Sequence, residues 1–428
     1  MMETAYLEIA RQATTYKTIR NLMSSVNLET LKAAHKRQSK KKAAGVDQMT
    51  KTEYEKNLDE SLENLIVRMK QFAYRPQPVR RTYIPKAGSD KMRPLGIPAY
   101  EDKLVQGVMA NILTMVYEQK FMAFSYGFRP GRDCHKALTV LKDTIITKKT
   151  NFIVDADIKG FFDNVNHEWL IKFLEHDIED KNYIRYVKRF LKGGIMEEGK
   201  FQESDKGTPQ GGLISPILSN VYLHYVLDLW FEKRIRREFK GESHMIRYAD
   251  DFVCCFQYES EARKFFEMLK ERFAQFGLEF AEDKSKIIRF GRFARQDGSK
   301  ETFDFLGFTH INGISRNGKY TVQLQTAQKK LSAKIQAVKE WLNDNRHMEK
   351  CALVRKLNLK LAGHYRYYGV SGNYRKMQLF EHYITRLLFK ALSRRSQKRM
   401  NWDTFRKFLK YNPIAKPEIY HQLRSDAL

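Results

Sequence analysis

The sequence predicts an α+β fold, because it contains both short apolar strands and amphipathic helices. Residues 152–154 and 252–256 are short and almost continuously apolar, as buried strands are. Elsewhere apolar residues recur at helical spacing, first at Leu58, Leu62, Leu65, Ile66 and Met69. The chain has 428 residues, of which 42% are apolar, so it can bury more than one core. Its length favours two or three domains.

The chain is strongly basic. Lys and Arg number 77 against 50 Asp and Glu, which gives a net charge of +27. Such a charge favours a polyanionic partner such as nucleic acid, because phosphate contacts release counterions. The alternative is a basic surface kept for solubility, but that requires far less charge.

Cysteine usage and the N-terminus narrow the class further. The four cysteines include no Cys-x-x-Cys pair, and Cys254 and Cys255 adjoin within an apolar strand. Neither a zinc site nor a disulfide framework is therefore predicted. The N-terminus lacks the basic residues and apolar run of a secretory signal peptide. The sequence also contains no stretch of about 18 apolar residues, which a membrane-spanning helix would need. We expect a cytoplasmic protein with no membrane partner.

Residues 1–70 are predicted to be helical, with Asn27 as a helix cap. A basic stretch at residues 36–47 interrupts these helices and ends in Ala-Ala-Gly-Val-Asp. Taken alone, such a run is most often a solvated loop.

Residues 83–98 are predicted to form a hairpin, in which two extended segments flank a turn at residues 87–90. Lys86 and Arg93 lie on the two arms and could reach one ligand. A planar guanidinium and a compact ammonium together suit a triphosphate. Either cation alone would be an ordinary surface charge.

The stretch 248–251, Tyr-Ala-Asp-Asp, lies between apolar segments and is predicted to be the turn of a β-hairpin. Its two adjacent carboxylates repel each other and lose hydration, which a bound cation would offset. Asp157 follows the strand at 152–154 and would face Asp250 and Asp251 if the two segments are neighbours in one sheet. Carboxylates so placed suit two divalent ions in phosphoryl transfer. The alternatives are an ordinary Asp-containing turn and a strand-end cap.

A glycine-rich stretch at residues 207–220 leads into a predicted helix that begins near Ser215 and Pro216. Its glycines allow close backbone approach and place Gln210 on a loop at the helix entrance. There Gln210 could touch a base or a sugar. A glycine-rich loop alone says little about function.

From Thr309 onwards the composition shifts. This part carries 25 Lys and Arg against 7 Asp and Glu, so it holds 18 of the 27 net positive charges. Helical stripes of apolar residues leave basic residues on the other faces, and residues 365–368 and 394–399 mix aromatic and basic character. We expect a separate basic helical domain that binds nucleic acid. Its candidate contacts are Arg394, Arg395, Lys398 and Arg399.

These motifs resemble those of reverse transcriptases. Their sequences and order resemble the group II intron-encoded branch of that family over nearly the whole chain. The resemblance rests on Asp-x-x-x-x-Phe at 157–162, the Tyr-Ala-Asp-Asp hairpin, and Thr-Pro-Gln-Gly at 208–211. It implies a right-hand polymerase with fingers, a palm built on an antiparallel sheet, and an α-helical thumb. The implied domains are an N-terminal extension with a template-side loop (1–70), fingers and palm (71–308), and a thumb or maturase domain (309–428).

The resemblance also implies a catalytic set. Asp157, Asp250 and Asp251 would be catalytic and, with the backbone carbonyl of Ile158, would hold two Mg²⁺ ions, with Mn²⁺ as the alternative. The ring of Phe162 would pack beneath the sugar and exclude a 2′-hydroxyl.

The remaining implied contacts are to the incoming nucleotide. Lys86 and Arg93 would bind its phosphates, and Gln210 would touch the nucleotide. Lys284 would neutralise or protonate the pyrophosphate leaving group, with Lys286 as its rival.

The expected partners are an RNA template, a DNA or RNA primer, deoxynucleoside triphosphates and a structured intron RNA. Two biological contexts stay open: an intron-encoded maturase that assists splicing and mobility, and a host-adopted relative in repair or phage defence. An RNA-binding splicing factor with a decayed polymerase site is a further alternative. It predicts loss of carboxylates, whereas Asp157, Asp250 and Asp251 are all present.

Overall fold

The computed structural model describes residues 2–85, 92–203, 205–208, 211–315, 317–395 and 400–423. Within these residues helices and strands are interspersed along the chain, which confirms the α+β prediction. None of the described helices combines the length and the apolar character that a bilayer crossing requires.

The first part of the fold consists of helices and one β-hairpin. Its elements are α1 Met2–Thr15, α2 Leu28–Arg37, α3 Lys51–Tyr54, α4 Leu58–Lys70, β1 Val79–Pro85, β2 Met92–Ile97, α5 Tyr100–Glu118 and α6 Cys134–Thr147. Helix α2 begins at the predicted cap. The Asn27 side chain accepts a hydrogen bond from the Thr30 N–H at 3.1 Å, and the Thr30 hydroxyl accepts one from the Asn27 N–H at 3.0 Å.

The middle of the chain supplies the sheet that carries the acidic residues. Its elements are β3 Phe152–Ala156, β4 Ile158–Lys159, α7 Phe161–Asn164, α8 His167–Asp177, α9 Lys181–Leu191, β5 Ile195–Glu197, β6 Lys200–Gln202, α10 Ser215–Leu223, α11 Arg236–Glu238, β7 Ser243–Tyr248, β8 Asp251–Phe256, α12 Glu259–Gln275, β9 Glu279–Phe280 and β10 Lys286–Arg289. Between α10 and α11 the helical chain widens into π-helical segments at His224–Asp228 and Phe231–Ile235.

The last part consists of a short helix and a small sheet, followed by long helices. Its elements are α13 Arg292–Gln296, β11 Thr302–Phe305, β12 Phe308–Ile314, β13 Tyr320–Thr326, α14 Gln328–Asp344, α15 Lys350–Tyr368, α16 Tyr374–Ser393 and α17 Trp402–Tyr411. The predicted division at residues 308/309 falls at the start of β12, which pairs with both β11 and β13. Leu306 and Gly307 have φ of 49° and 78° and turn β12 back onto β11, so the long helices begin only at α14.

The central sheet has the strand order β10-β3-β8-β7. A second sheet has the order β2-β1-β5-β6, a third has the order β11-β12-β13, and β4 pairs with β9. In the central sheet β3 is antiparallel to both β8 and β10, so residues far apart in sequence meet at its ends.

The central sheet is buried on both faces. Val154 and Cys254 pack into a core shared with α5, α8, α10 and α12, whereas Ile153 and Val253 pack on the opposite face against α6 and the third sheet. Burial on both sides explains why these strands are continuously apolar rather than alternating. The helices α14 to α17 enclose a separate core of their own.

Candidate active site

The turn between β7 and β8 carries Asp250 and Asp251. Tyr248 pairs with Asp251 across the hairpin, so Ala249 and Asp250 form a two-residue turn. Ala249 has a φ of 58°, in the left-handed region that a residue with a β-carbon seldom adopts. Contacts with the rest of the molecule must therefore hold this turn.

Arg247 supplies such contacts from inside the protein. It is fully buried, and its guanidinium donates to the two carboxylate oxygens of Asp228 at 2.7 and 2.5 Å. The same guanidinium donates to the Ala249 carbonyl at 2.8 Å and to Asn220 Oδ1 at 3.0 Å. Charge-assisted hydrogen bonds of this kind fix the backbone of the acidic turn.

Gly127 closes the other side of the turn. The segment 124–126 hydrogen-bonds to the backbone N–H and carbonyl of Arg247, and Asn220 Nδ2 donates to the Gly127 carbonyl at 2.7 Å. A β-carbon on Gly127 would lie 2.2 Å from the Ala249 nitrogen, closer than atoms can approach. Only glycine therefore fits at this position against the acidic turn.

The sequence pointed to the acidic pair but not to the residues that support it. A signal was present, because Arg247 interrupts the apolar strand between Ile246 and Tyr248, and a charge in a buried strand requires a partner. That partner, Asp228, lies 19 positions earlier in a π-helical segment. No local pattern in the sequence identifies it.

Asp157 lies where β3 ends, beside the acidic turn. The final pair of the β3–β8 ladder is Ala156 with Phe252, so Asp157 follows at the level of Asp251. Desolvation by the surrounding protein raises the pKa of Asp250 and of Asp251, and the charge of Asp157 adds to both shifts. The structure thus places the three carboxylates that the sequence analysis grouped at neighbouring strand ends, within electrostatic reach of one another.

A further carboxylate, that of Asp155, belongs to this cluster and was not singled out from the sequence. The surrounding protein raises the pKa of Asp251 to about 7, although the Asp251 side chain keeps contact with solvent. The negative charge of Asp155 adds to this shift. Burial raises the pKa of Asp155 to about 6, opposed by Lys286 and reinforced by Asp157. Asp155 and Asp157 share one face of the sheet because side chains alternate along a strand.

The structure separates the two lysines that the sequence left as rivals. Lys284 donates to Asp157 Oδ2 at 3.0 Å. Lys286 lies on β10 directly opposite Asp155. Between them, the Ser285 hydroxyl accepts a hydrogen bond from the Asp157 N–H at 3.1 Å. Lys284 is therefore the lysine in contact with the candidate catalytic carboxylate.

Ile158 follows Asp157 and begins β4, where it pairs with Phe280 of β9. Its side chain is buried, and the preceding Asp157 carbonyl accepts a hydrogen bond from the Ala281 N–H at 3.0 Å. The backbone at the proposed carbonyl ligand is thus held in place on the β9 side.

The donor set fits hard divalent cations in its chemistry. Carboxylate oxygens are the ligands that Mg²⁺ and Mn²⁺ prefer, and a bound cation relieves the mutual repulsion that raises these pKa values. In the part of the chain that the structure describes, no three acidic, imidazole or thiol groups converge closely enough to hold an ion. Lys284 provides the positive charge at Asp157. Metal binding therefore requires these side chains to adjust.

Phe162 lies in α7, shortly after Asp157. Its neighbour Phe161 is buried and meets it edge to face, with ring centroids 5.3 Å apart, whereas Phe162 is only partly buried. Of the two rings, Phe162 is therefore the one that a bound nucleotide could reach. The Phe162 carbonyl accepts a hydrogen bond from the Thr208 N–H at 2.7 Å, which ties α7 to the glycine-rich loop.

The glycine-rich loop packs between α7 and β2. A β-carbon on Gly207 would lie 2.9 Å from the Phe162 carbonyl oxygen, and one on Gly211 would lie 2.5 Å from the Gly96 carbonyl oxygen. Both glycines also have positive φ, 84° and 111°. Gly207 is thus held against α7 and Gly211 against β2, whereas Gln210 lies outside the described residues and its role stays a prediction.

Arg93 lies exposed on β2. Burial raises the pKa of Asp250, and the charge of Arg93 partly offsets that shift, so the guanidinium is within electrostatic reach of the acidic turn. Lys86 lies outside the described residues, and its role stays a prediction.

The predicted C-terminal cluster is described in part. Arg394 is exposed at the end of α16, whereas Arg395 is partly buried and donates to the Met348 carbonyl at 2.6 Å. Both line a groove along α16 and α17 with a volume of about 1280 Å³. Lys398 and Arg399 lie outside the described residues.

A known family model matches the part of the chain that carries this candidate site. The family model described as reverse transcriptase (RNA-dependent DNA polymerase) matches residues 84–310, more than half of the 428-residue chain. The match includes the acidic turn, Asp157, Phe162 and the glycine-rich loop. The chain belongs to the reverse transcriptase family.

Several of the similar proteins have names that refer to introns. The chain is 36% identical over 258 residues to group II intron-encoded protein LtrA of Lactococcus lactis subsp. cremoris, covering 57% of this chain and 43% of that protein. It is 34% identical over 237 residues to protein YkfC of Escherichia coli strain K12, covering 49% and 62%. It is 25% identical over 177 residues to nuclear intron maturase 2, mitochondrial, of Arabidopsis thaliana, covering 32% and 24%.

These relatives confirm the resemblance to reverse transcriptases of the group II intron type. The matches span less than two thirds of each relative, 43% of LtrA and 62% of YkfC.

Proposed function

We propose that the protein is an RNA-directed DNA polymerase that copies RNA into DNA by nucleotidyl transfer with two divalent ions. The observation that supports this proposal is the position of Asp157, Asp250 and Asp251 at the ends of neighbouring strands, in a chain of the reverse transcriptase family. Bound Mg²⁺ or Mn²⁺ supplies Lewis acidity toward the attacking 3′-hydroxyl and neutralises charge on the transferred phosphate.

In this proposal the chain's own residues hold and orient the reactants. The three aspartates and the Ile158 carbonyl hold the ions. Arg93 and Lys86 bind the triphosphate, and the influence of Arg93 on the pKa of Asp250 supports a position close to the ions. A guanidinium fork there fixes the orientation of the phosphates as well as neutralising them.

Lys284 acts at the leaving group. It pairs with Asp157 Oδ2 at 3.0 Å, which places its ammonium beside the carboxylates that would hold the ions. From there the ammonium donates a proton to the departing pyrophosphate or, by keeping its charge, neutralises it electrostatically.

Phe162 and the glycine-rich loop select the nucleotide. The partly buried Phe162 ring fills the space that a 2′-hydroxyl would need, so deoxynucleotides are preferred by shape. Gln210, on the loop tied to Phe162 through Thr208, contacts the nucleotide. The close approach of Gly207 to α7 and of Gly211 to β2 supports this role.

In this proposal the wider arrangement is that of a right-hand polymerase. The β1–β2 hairpin belongs to the fingers, the central sheet to the palm, and the basic helices α14 to α17 to the thumb. Template RNA and a DNA or RNA primer bind between them, and the 18 net positive charges beyond residue 308 favour such polyanions.

A structured intron RNA is the proposed second partner, with assistance to splicing and mobility as the biological role. Support comes from the relatives whose printed names refer to group II introns and to intron maturation. A host-adopted polymerase in repair or defence is the alternative context. The nature of the RNA that copurifies with the protein distinguishes them.

The test is primer extension on an RNA template with Mg²⁺, using Asp250→Asn. This substitution removes one negative charge from the ion site without changing its shape, so extension should fall by several orders of magnitude while RNA affinity survives. The matched control is Asp59→Asn, an exposed carboxylate on α4 that pairs with Lys32. Normal extension by Asp250→Asn would refute the assignment, and loss of extension in the control would make the assay uninformative about it.

A further inference from the structure

A groove away from the acidic turn is lined by α8, α9, the segment before β1 and the β5–β6 hairpin. Its volume is about 1100 Å³. The lining shares no described residue with the carboxylate cluster, the glycine-rich loop or β2. Its apolar lining residues are Pro76, Pro78, Ile178, Ile184 and Phe201.

Helix α9 turns a basic face toward this groove. Lys181, Arg185, Lys188 and Lys192 follow one another at intervals of four, three and four positions, which places them on one side of the helix. All of them line the groove. At about 1.5 Å per residue the row extends roughly 16 Å, long enough to follow an extended polyanion rather than a single small ion.

Aromatic rings and a backbone carbonyl hold two of the arginines that line the groove. The Arg185 guanidinium lies 4.1 Å from the centroid of the Phe72 ring, and the Arg189 guanidinium lies 5.0 Å from that of Tyr186. Arg189 also donates to the Tyr74 carbonyl at 2.7 Å. Such contacts orient a guanidinium while leaving further N–H groups free for a ligand.

The positive charge of the groove exceeds the acidic charge around it. Glu175 is paired with Lys188 at 2.9 Å, and Glu179 is paired at 2.7 Å with Arg20, which is not among the groove residues. Burial and the nearby Arg75 lower the pKa of Arg189, as expected where like charges are crowded. Among the described residues no carboxylate forms an ion pair with Arg75, Lys181, Arg185, Arg189 or Lys192.

We propose that this groove is a second nucleic-acid-binding surface, which binds the phosphodiester backbone of a folded RNA outside the polymerase site. Arginine forks match phosphate oxygens, and an exposed aromatic ring suits stacking by a base or sugar. Phe201, which is 52% exposed, supplies that ring. The identity of the polyanion as RNA rests on the proposed function, whereas the charge and shape of the groove do not.

The test is equilibrium binding of a folded group II intron transcript, measured without nucleotides over a range of salt concentrations. The groove variant combines Arg75→Gln, Arg185→Gln and Lys192→Gln. If three phosphate contacts are lost, the slope of log affinity against log salt should become shallower by roughly 2 to 3.

A matched variant controls for net charge. Arg11→Gln, Arg236→Gln and Arg263→Gln remove the same formal charge from arginines already paired with Glu8, Glu232 and Glu259. We expect its slope to stay close to that of the parent. An unchanged slope in the groove variant, or an equal change in both variants, would overturn the proposal.

A second measurement does not depend on these variants folding. A photoreactive phenylalanine analogue at Phe201 should crosslink to the bound transcript, and the same analogue at Tyr258, exposed at the start of α12, should not. Absence of a crosslink at Phe201 would overturn the proposal. So would a groove variant that loses binding to phosphatidylserine vesicles but keeps its binding to RNA. Repeating the titration in the Asp250→Asn background separates this result from any failure of polymerisation.

Discussion

The guanidinium of Arg247 binds both carboxylate oxygens of Asp228, and neither side chain is exposed to solvent. The same guanidinium donates to the carbonyl of Ala249, the residue before Asp250. A buried ion pair adds little net stability, because desolvation of the two charges offsets their attraction. We therefore infer that this pair serves to set the geometry of the acidic turn.

Breaking that pair from one side should be costly. Asp228→Leu leaves Arg247 buried without a counter-charge, so we expect the free energy of unfolding to fall by about 3–5 kcal/mol. Denaturant unfolding measures the loss. The double variant Asp228→Leu/Arg247→Met should regain most of the stability but not the extension activity, because the hydrogen bond to Ala249 is still absent. Parental extension by the double variant would contradict the proposed role in geometry.

Gly127→Ala should impair catalysis without touching any proposed ligand. The added β-carbon would meet the Ala249 nitrogen at 2.2 Å and must displace the turn that carries Asp250. A displacement of about 1 Å in a catalytic group can cost roughly 100-fold in rate. Single-turnover extension measures it, with RNA affinity expected to persist.

The control for that substitution is Gly363→Ala in α15, where a β-carbon would meet nothing within 4 Å. It should stabilise the helix by up to about 1 kcal/mol and leave extension unchanged. Similar extension by the Gly127 and Gly363 variants would show that the close approach to Ala249 is not needed.

Phe162→Ala should admit ribonucleotides, because removal of the ring opens space for a 2′-hydroxyl. Discrimination between dGTP and GTP should fall by about 1–3 kcal/mol, measured by competition on one template. Phe161→Ala is the control. Since Phe161 is buried, it should lower stability by about 3–5 kcal/mol and leave sugar selection intact. If only Phe161→Ala changed the discrimination between dGTP and GTP, Phe161 would be the residue that excludes the 2′-hydroxyl.

Lys284→Ala and Lys286→Ala form a matched pair two residues apart. Lys284 contacts Asp157, whereas Lys286 lies opposite Asp155. If Lys284 protonates the leaving group, its removal should slow single-nucleotide incorporation by about 10²- to 10⁴-fold, and removal of Lys286 should cost much less. The reverse order of effects would assign the role to Lys286.

Local sequence was sufficient to predict the elements of the site. The apolar runs at 152–154 and 252–256 predicted two buried strands, and both strands are present in the central sheet. The prediction succeeded because burial on both faces leaves a continuous apolar signature. The Asn27 cap and the 248–251 turn were predictable for a similar reason, since a few adjacent residues determine each of them.

Tertiary structure decided which distant residues meet. The pairing of Arg247 with Asp228, the place of Asp155 in the acidic cluster, and the contact of Lys284 rather than Lys286 with Asp157 all depend on strand register and helix packing. The sequence alone was enough to predict the basic charge, the strands and helices, and the pair of carboxylates on a turn. Periodicity cannot name a partner 19 positions away, because it records only which face of an element is buried. For that reason the supports of the acidic turn and the basic groove of α9 emerged only from the folded molecule.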